Sequence, residues 1–256
     1  MRLIDYTLHS LENTADPSAV RTLYEALAAL GVNVGAPLWA ADLPGVRRHT
    51  EPLLYEVDAA LFCNDQDAFL ETQKNGQVLC ARGEPSLAAA LTVDWLLTSG
   101  EGACVSLLGA GGYAPLETVV MALYVSGHAN WDLLALKSAA EAWEQATGRS
   151  IPKHQPVLGG AIFEVASGVH VDGLMKHAKS YEPFSPQMLG AKRQIVLNAQ
   201  SGKSAVIFRL NELEISCADV DIEQLVSDVK RMGMEGRLTQ REFEVLVEGA
   251  RKGRPA

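Results

Sequence analysis

Residues 167–173 read Ser167-Gly168-Val169-His170-Val171-Asp172-Gly173. Flanking glycines expose backbone and side chain, and an imidazole titrates near neutrality. His170 therefore suits a catalytic or binding role, although by itself the segment reads better as a structural histidine in a turn. The other histidines are His9, His49, His128, His154 and His177. None pairs at i, i+4 with an intervening acid, which excludes a zincin-type metal helix. Two glycine motifs invite a phosphate. Gly109-Ala110-Gly111-Gly112-Tyr113-Ala114 fits the dinucleotide fingerprint between a strand and a helix. The acid that should follow about 20 residues later is missing, and that region runs into another helix. Ser201-Gly202-Lys203-Ser204 resembles the end of a P-loop, but Leu197 stands where the leading glycine is required. No Gly-x-Ser-x-Gly elbow is present.

These residues need elements to hold them. The chain has 256 residues, of which 48% are hydrophobic and 21% charged, an ordinary globular balance with material for a sizeable core. No apolar run reaches the roughly 20 residues that span a bilayer. Asp5 interrupts the N-terminal apolar stretch where a signal peptide would continue. A cytoplasmic protein is the expectation. Cys63, Cys80, Cys104 and Cys217 form no Cys-x-x-Cys pair and read as buried reduced thiols. Residues 1–150 hold 8 Lys+Arg against 18 Asp+Glu, net −10, while residues 151–256 are net +1. An acidic first half argues against nucleic acid, whose phosphates it would repel.

Leu3 to Leu8 reads as a strand. Asp16-Pro17 is a helix start, Val20, Leu23, Leu27 and Leu30 keep helical spacing, and Gly31 ends the helix. Apolar runs at Val32–Leu38, Val57–Cys63, Gln77–Cys80 and Ala103–Leu108 read as further strands. Ser86–Leu97, Pro115–Val125 and Trp131–Thr147 read as helices. This alternation implies βα units and a mainly parallel sheet. Gly148–Pro152 suggests a boundary. Two amphipathic helices close the chain, Ile222–Met232 and Thr239–Ala250, the second opening on a Thr239-x-x-Glu242 capping box. The basic residues Arg251-Lys252-Gly253-Arg254 read as a solvated end.

Longer ordered stretches carry a resemblance. Ile151-Pro152-Lys153-His154-Gln155-Pro156-Val157-Leu158-Gly159 is followed by the His170 segment with Leu174-Met175-Lys176. Then come Tyr181-Glu182-Pro183-Phe184, Ile195-Val196-Leu197 and Ser201-Gly202-Lys203-Ser204. In this order and spacing the region is similar to the linker of homocitrate synthases and isopropylmalate synthases, closest to the nitrogen-fixation type of homocitrate synthase. Glu212–Val247 resembles the helical subdomain that follows there. Leu3–Glu12 resembles the family opening on the first barrel strand, Asp-Thr-Thr-Leu-Arg-Asp-Gly-Glu. Ala114–Leu123 resembles the helix after the last catalytic loop.

The resemblance implies an α/β fold: a truncated or incomplete TIM-type (β/α) barrel over residues 1–148, a mainly α-helical linker over residues 149–210, and a C-terminal helical subdomain over residues 211–256. A complete barrel takes about 250 residues, so the segment before the linker has room for about five βα units. An incomplete barrel leaves open edges that must close differently or be covered. Family members hold a divalent metal that polarises a 2-oxo acid while acetyl-CoA supplies the attacking carbon. The implied ligand positions depart here. The strand-one aspartate corresponds to Ser10 and the arginine before it to His9, and the asparagine of the Gly-rich loop corresponds to Tyr113. The His-x-His pair would fall near residues 79–87, and no histidine occurs between His49 and His128. No metal and no cofactor held by this chain are expected.

The family is dimeric, and its linker reaches over the neighbouring active site. The linker histidine and tyrosine that assist proton transfer match His170 and Tyr181. Asn198-Ala199-Gln200-Ser201-Gly202 replaces the usual Gly-Lys-His-Ser-Gly, losing a cation and an imidazole. The leading expectation is a non-metal-binding accessory subunit, a pseudoenzyme by itself. Its partner would be a full-length homologous synthase or a second copy, with acetyl-CoA as cosubstrate of the complex and a 2-oxo acid as the other substrate. Two alternatives stay open: an active acyltransferase with a site rebuilt from His9, Glu12 or His128, and a non-catalytic protein that binds CoA or a 2-oxo acid. No nucleic acid and no membrane are expected as partners.

Overall fold

The computed structural model describes residues 1–12, 15–37, 39–40, 43, 46, 54–59, 78–98, 101–166 and 168–252. They form two compact units, Met1–Ile162 and Phe163–Ala256. Residues on either side of position 210 share one core: Val171, Ile195 and Leu197 are buried in the same cluster as Leu225, Val229 and Phe243.

The first unit is a parallel sheet with helices. Its strands are β1 (Arg2–Asp5), β2 (Asn33–Val34), β3 (Leu54–Asp58), β4 (Val78–Arg82), β5 (Gly102–Ser106) and β6 (Ala114–Pro115). They run in the order β2-β1-β5-β4-β3, with β6 also beside β5 and every pairing parallel. Residues Gly102–Ser106 of β5 are buried throughout, as expected for a parallel strand covered on both faces. Gly102 allows a close approach at this crossing, where a Cβ would meet Arg2 O at 3.0 Å. Among the described strands, β2 and β3 stand at the two ends of the path and do not pair with each other. The described pairings are those of a parallel α/β sheet and do not include a barrel closure. Of the segment Val57–Cys63, β3 takes in Val57 and Asp58, and residues 60–63 lie outside the described residues.

The helices of this unit are α1 (Pro17–Leu30), α2 (Pro85–Thr98), α3 (Leu116–Val125) and α4 (Leu133–Thr147). Asp16 caps α1 by accepting from Ala19 N at 2.9 Å, Pro17 occupies the first turn, and Gly31 ends it at φ 96°. Its apolar stripe, Val20, Leu23, Leu27 and Leu30, is fully buried. Trp95 of α2 is buried and donates its indole N–H to Gly102 O at 3.0 Å, fixing helix to strand.

The second unit pairs β7 (Glu164–Val165) with β8 (Gln194–Ile195) in parallel. Its helices are α5 (Gly168–His177), α6 (Lys203–Glu212), α7 (Ile222–Met232) and α8 (Gln240–Gly249). Thr239 caps α8: its Oγ1 accepts from Glu242 N at 3.3 Å, and Glu242 Oε2 accepts from Thr239 N at 2.7 Å. That carboxylate, hydrogen-bonded to the Thr239 backbone, is held below its ordinary pKa. No helix among the described residues is long and apolar enough to cross a membrane.

Candidate functional site

The C-terminal ends of β1, β4 and β5 converge on the loop Leu107–Gly112. Strand β1 stops at Asp5 although the apolar run continues to Leu8. Asp5 captures the chain that follows: Oδ1 accepts from Thr7 N and Oδ2 from Thr7 Oγ1, both at 3.0 Å. Residues Thr7–Ser10 therefore turn into a 3₁₀ segment instead of extending the strand. Thr7 Oγ1 also accepts from Leu107 N at 2.7 Å, 100 residues away, so Asp5 ties the first strand to the Gly-rich loop.

A second carboxylate holds the other side of that loop. Glu117, in the first turn of α3, accepts from Leu108 N at 2.9 Å through Oε2 and from Gln155 Nε2 at 2.9 Å through Oε1. Leu108 sits at φ 58°, Gly109 at 68° and Gly111 at 70°. A leucine in the left-handed region costs about 1–2 kcal/mol, and the Glu117 bond offsets part of that. Ser106 Oγ closes the turn by donating to Ala110 O at 2.6 Å. Asp5 and Glu117 are both 0% exposed. Burial raises the Asp5 pKa from an ordinary 3.8 to about 7, against the Thr7 hydrogen bonds and with a smaller push from the Glu117 charge. Burial likewise raises the Glu117 pKa. Neither acid stood out in the sequence. The one available signal was an acid two residues before a threonine at a strand end, an Asx-type pattern.

Aromatic rings fill the strand ends. Tyr113 stacks on Tyr6 with centroids 5.0 Å apart and planes 10° from parallel. The Arg82 guanidinium lies 4.5 Å over the Tyr113 ring and donates to Gly111 O at 2.5 Å. His9 tilts against Tyr6 at 5.0 Å. Beneath them lie the buried Ile4, Val78, Cys80 and Cys104. Ser10 donates its hydroxyl to Thr7 O at 2.7 Å. The positions matched to metal ligands thus carry a donating hydroxyl and a stacked phenol, with a guanidinium at the end of β4. Hard divalent cations are held by carboxylates, carbonyls and imidazoles, and a fixed cation opposes them. These residues do not fit the metal.

The residues considered for a rebuilt site are not brought together. His9 and Glu12 lie near the strand ends, Glu12 lining a cavity of about 670 Å³ with Asp16 and Arg149. His128 lies beyond the far end of the ten-residue α3, about 15 Å of helix away.

In the second unit, His170 and Tyr181 do meet. Their ring centroids are 5.9 Å apart at 61°, an edge contact. His170 is exposed and Tyr181 is 47% exposed. Tyr181 follows the 3₁₀ turn Ala178–Ser180, and its N–H donates to Ala178 O at 3.0 Å. Ser201, the buried residue of the P-loop-like stretch, instead caps a turn by accepting from Asn198 N at 2.9 Å.

Residues 157–237 match the family described as homocitrate synthase post-HMGL domain-like. Over those residues the chain carries a domain of the homocitrate synthase type, and the relatives it resembles over longer stretches are homocitrate, citramalate and isopropylmalate synthases. It is 27% identical over 169 residues to the homocitrate synthase omega subunit of Clostridium pasteurianum, covering 65% of this chain and 48% of that protein. It is 34% identical over 140 residues to homocitrate synthase AksA of Methanocaldococcus jannaschii, covering 54% and 34%. A protein of Methanopyrus kandleri named a probable 2-isopropylmalate synthase is 34% identical over 128 residues, covering 49% and 26%. The chain spans about half or less of the length of these relatives.

Proposed function

We propose that this chain is an accessory subunit of an acyl-CoA/2-oxo acid condensing enzyme, pairing with a metal-bearing homologue and lending it His170 and Tyr181. The observation that carries this reading is the filling of the strand ends. Tyr6, Tyr113 and Arg82 form one stack there, and the chain's own carboxylates, Asp5 and Glu117, are turned inward to backbone amides and neighbouring side chains. Among the described residues these strand ends offer no place to polarise a ketone, and in this reading that step comes from the partner. The pair at His170 and Tyr181 supplies what such a partner uses, since an imidazole and a phenol in contact can take and return protons during carbon–carbon bond formation. The cosubstrate is acetyl-CoA and the acceptor a 2-oxo acid. The name of the Clostridium relative, an omega subunit, agrees with a divided enzyme.

The test is thiol release from acetyl-CoA with a panel of 2-oxo acids. The chain is assayed alone and after co-purification with a full-length homologue from its host. Turnover confined to the mixed complex is the expected result. Chelator-sensitive turnover by the isolated chain would overturn the proposal.

A further inference from the structure

Tyr181 rests on the helix that carries its partner. The inner side of α5 is fixed, with Val171 and Leu174 buried. Its first residue, Gly168, lies against Gly202, where an added Cβ would meet Gly202 N at 3.0 Å. His170 and Gly173 are three residues apart on α5 and so share a face. After the Ala178–Ser180 turn the chain brings Tyr181 back over that face. The next residue is clamped: Arg193 donates to Glu182 through Nε and Nη2, both at 2.6 Å, a two-point ion pair. The phenol ring then fills the volume beside Gly173. An ideal Cβ built on Gly173 would overlap the Tyr181 ring and its hydroxyl oxygen.

The backbone does not ask for glycine here. Gly173 lies inside a helix and is not among the glycines with positive φ. Helix preference alone would favour alanine. The residue is small because the ring needs the space.

We infer that Gly173 is the seat that fixes the Tyr181 phenol beside the His170 imidazole, a positioning residue for that pair. Any side chain at position 173 lifts the ring away and uncouples the two groups. The catalytic meaning of this seat rests on the role proposed for His170 and Tyr181; the geometry does not.

The experiment is a set of thermal melts of the full chain combined with the His170 Cε1 proton resonance. Gly173→Ala lowers Tm in the native background, because the methyl must displace the ring. In the Tyr181→Ala background the same substitution raises Tm, because only the helix preference is left. The His170 resonance loses its ring-current shift equally in Gly173→Ala and Tyr181→Ala, and Tyr181→Phe retains it. If Gly173→Ala alone fails to fold, recovery of folding in the double variant is the expected result. A rise of Tm in both backgrounds, or an unmoved His170 resonance in Gly173→Ala, overturns the inference. Turnover by the mixed complex is read separately: it falls in Gly173→Ala if the pair is catalytic. A displaced ring with unchanged turnover would remove the catalytic role and leave the seat standing.

Discussion

Asp5→Asn separates the ionisation of this buried acid from its shape. In the folded chain the Asp5 pKa is about 7, against an ordinary 3.8, because the side chain is 0% exposed. The folded state therefore holds a proton that the unfolded state releases. Stability from this group is fully present below pH about 4 and is lost as pH rises through about 7. Between pH 5.8 and 7.6 the loss amounts to about 1.5 kcal/mol by linkage. Both values lie above the isoelectric point near 5.2, where solubility is poorest. Asparagine keeps an acceptor for Thr7 N but cannot ionise. Losing the acceptor for Thr7 Oγ1 costs about 1–3 kcal/mol at every pH, so the diagnostic quantity is the slope and not the offset. Glu117, raised mainly by its own burial, is present in both proteins, so the difference between slopes reports Asp5 ionisation together with its smaller coupling to Glu117. The assay is urea unfolding followed by tryptophan fluorescence. Trp39, Trp95, Trp131 and Trp143 all fall in Met1–Ile162, so the signal reports the unit that contains Asp5. Equal losses of stability in the native and Asp5→Asn proteins between pH 5.8 and 7.6 would refute the reasoning.

Glu117→Gln presents an amide N–H₂ to either Leu108 N–H or Gln155 Nε2, both donors, and should cost about 1–3 kcal/mol in urea unfolding at pH 7.6. Asp16→Ala removes the acceptor for Ala19 N at the start of α1 and should cost about 1 kcal/mol by the same assay. Adding Mg²⁺, Mn²⁺ or Zn²⁺ to the isolated chain should leave Tm within about 1 °C, since binding to the native state would raise it. A saturable rise of several degrees would reveal a metal site in the chain.

Much of the frame was legible in the sequence because it rests on local rules. The Asp16-Pro17 start, the buried stripe ending at Leu30, and the Gly31 end all depend on neighbours within one turn. The Thr239–Glu242 box is equally local. The ends of β1 and β5 were not legible. Leu3–Leu8 and Ala103–Leu108 look like continuous strands, yet Asp5 stops the first, and the second gives way to the Leu107–Gly112 turn bound to Glu117. These events depend on partners up to 100 residues apart. Tyr113 was legible as a departure from the family pattern, but not as half of a stack with Tyr6 under Arg82. His170 and Tyr181 came from the resemblance, and their contact came from the fold. Gly173 was legible only as a glycine flanking His170, and its place inside α5 under the Tyr181 ring came from the fold.

The central claim is that His170 serves a reaction whose metal belongs to another chain. Its most direct test is the turnover of a mixed complex, purified with a full-length homologue, in which only this chain carries His170→Ala. The account predicts a fall of about 10²-fold or more in thiol release, with the complex intact by size-exclusion chromatography. Unchanged turnover in an intact complex would contradict it.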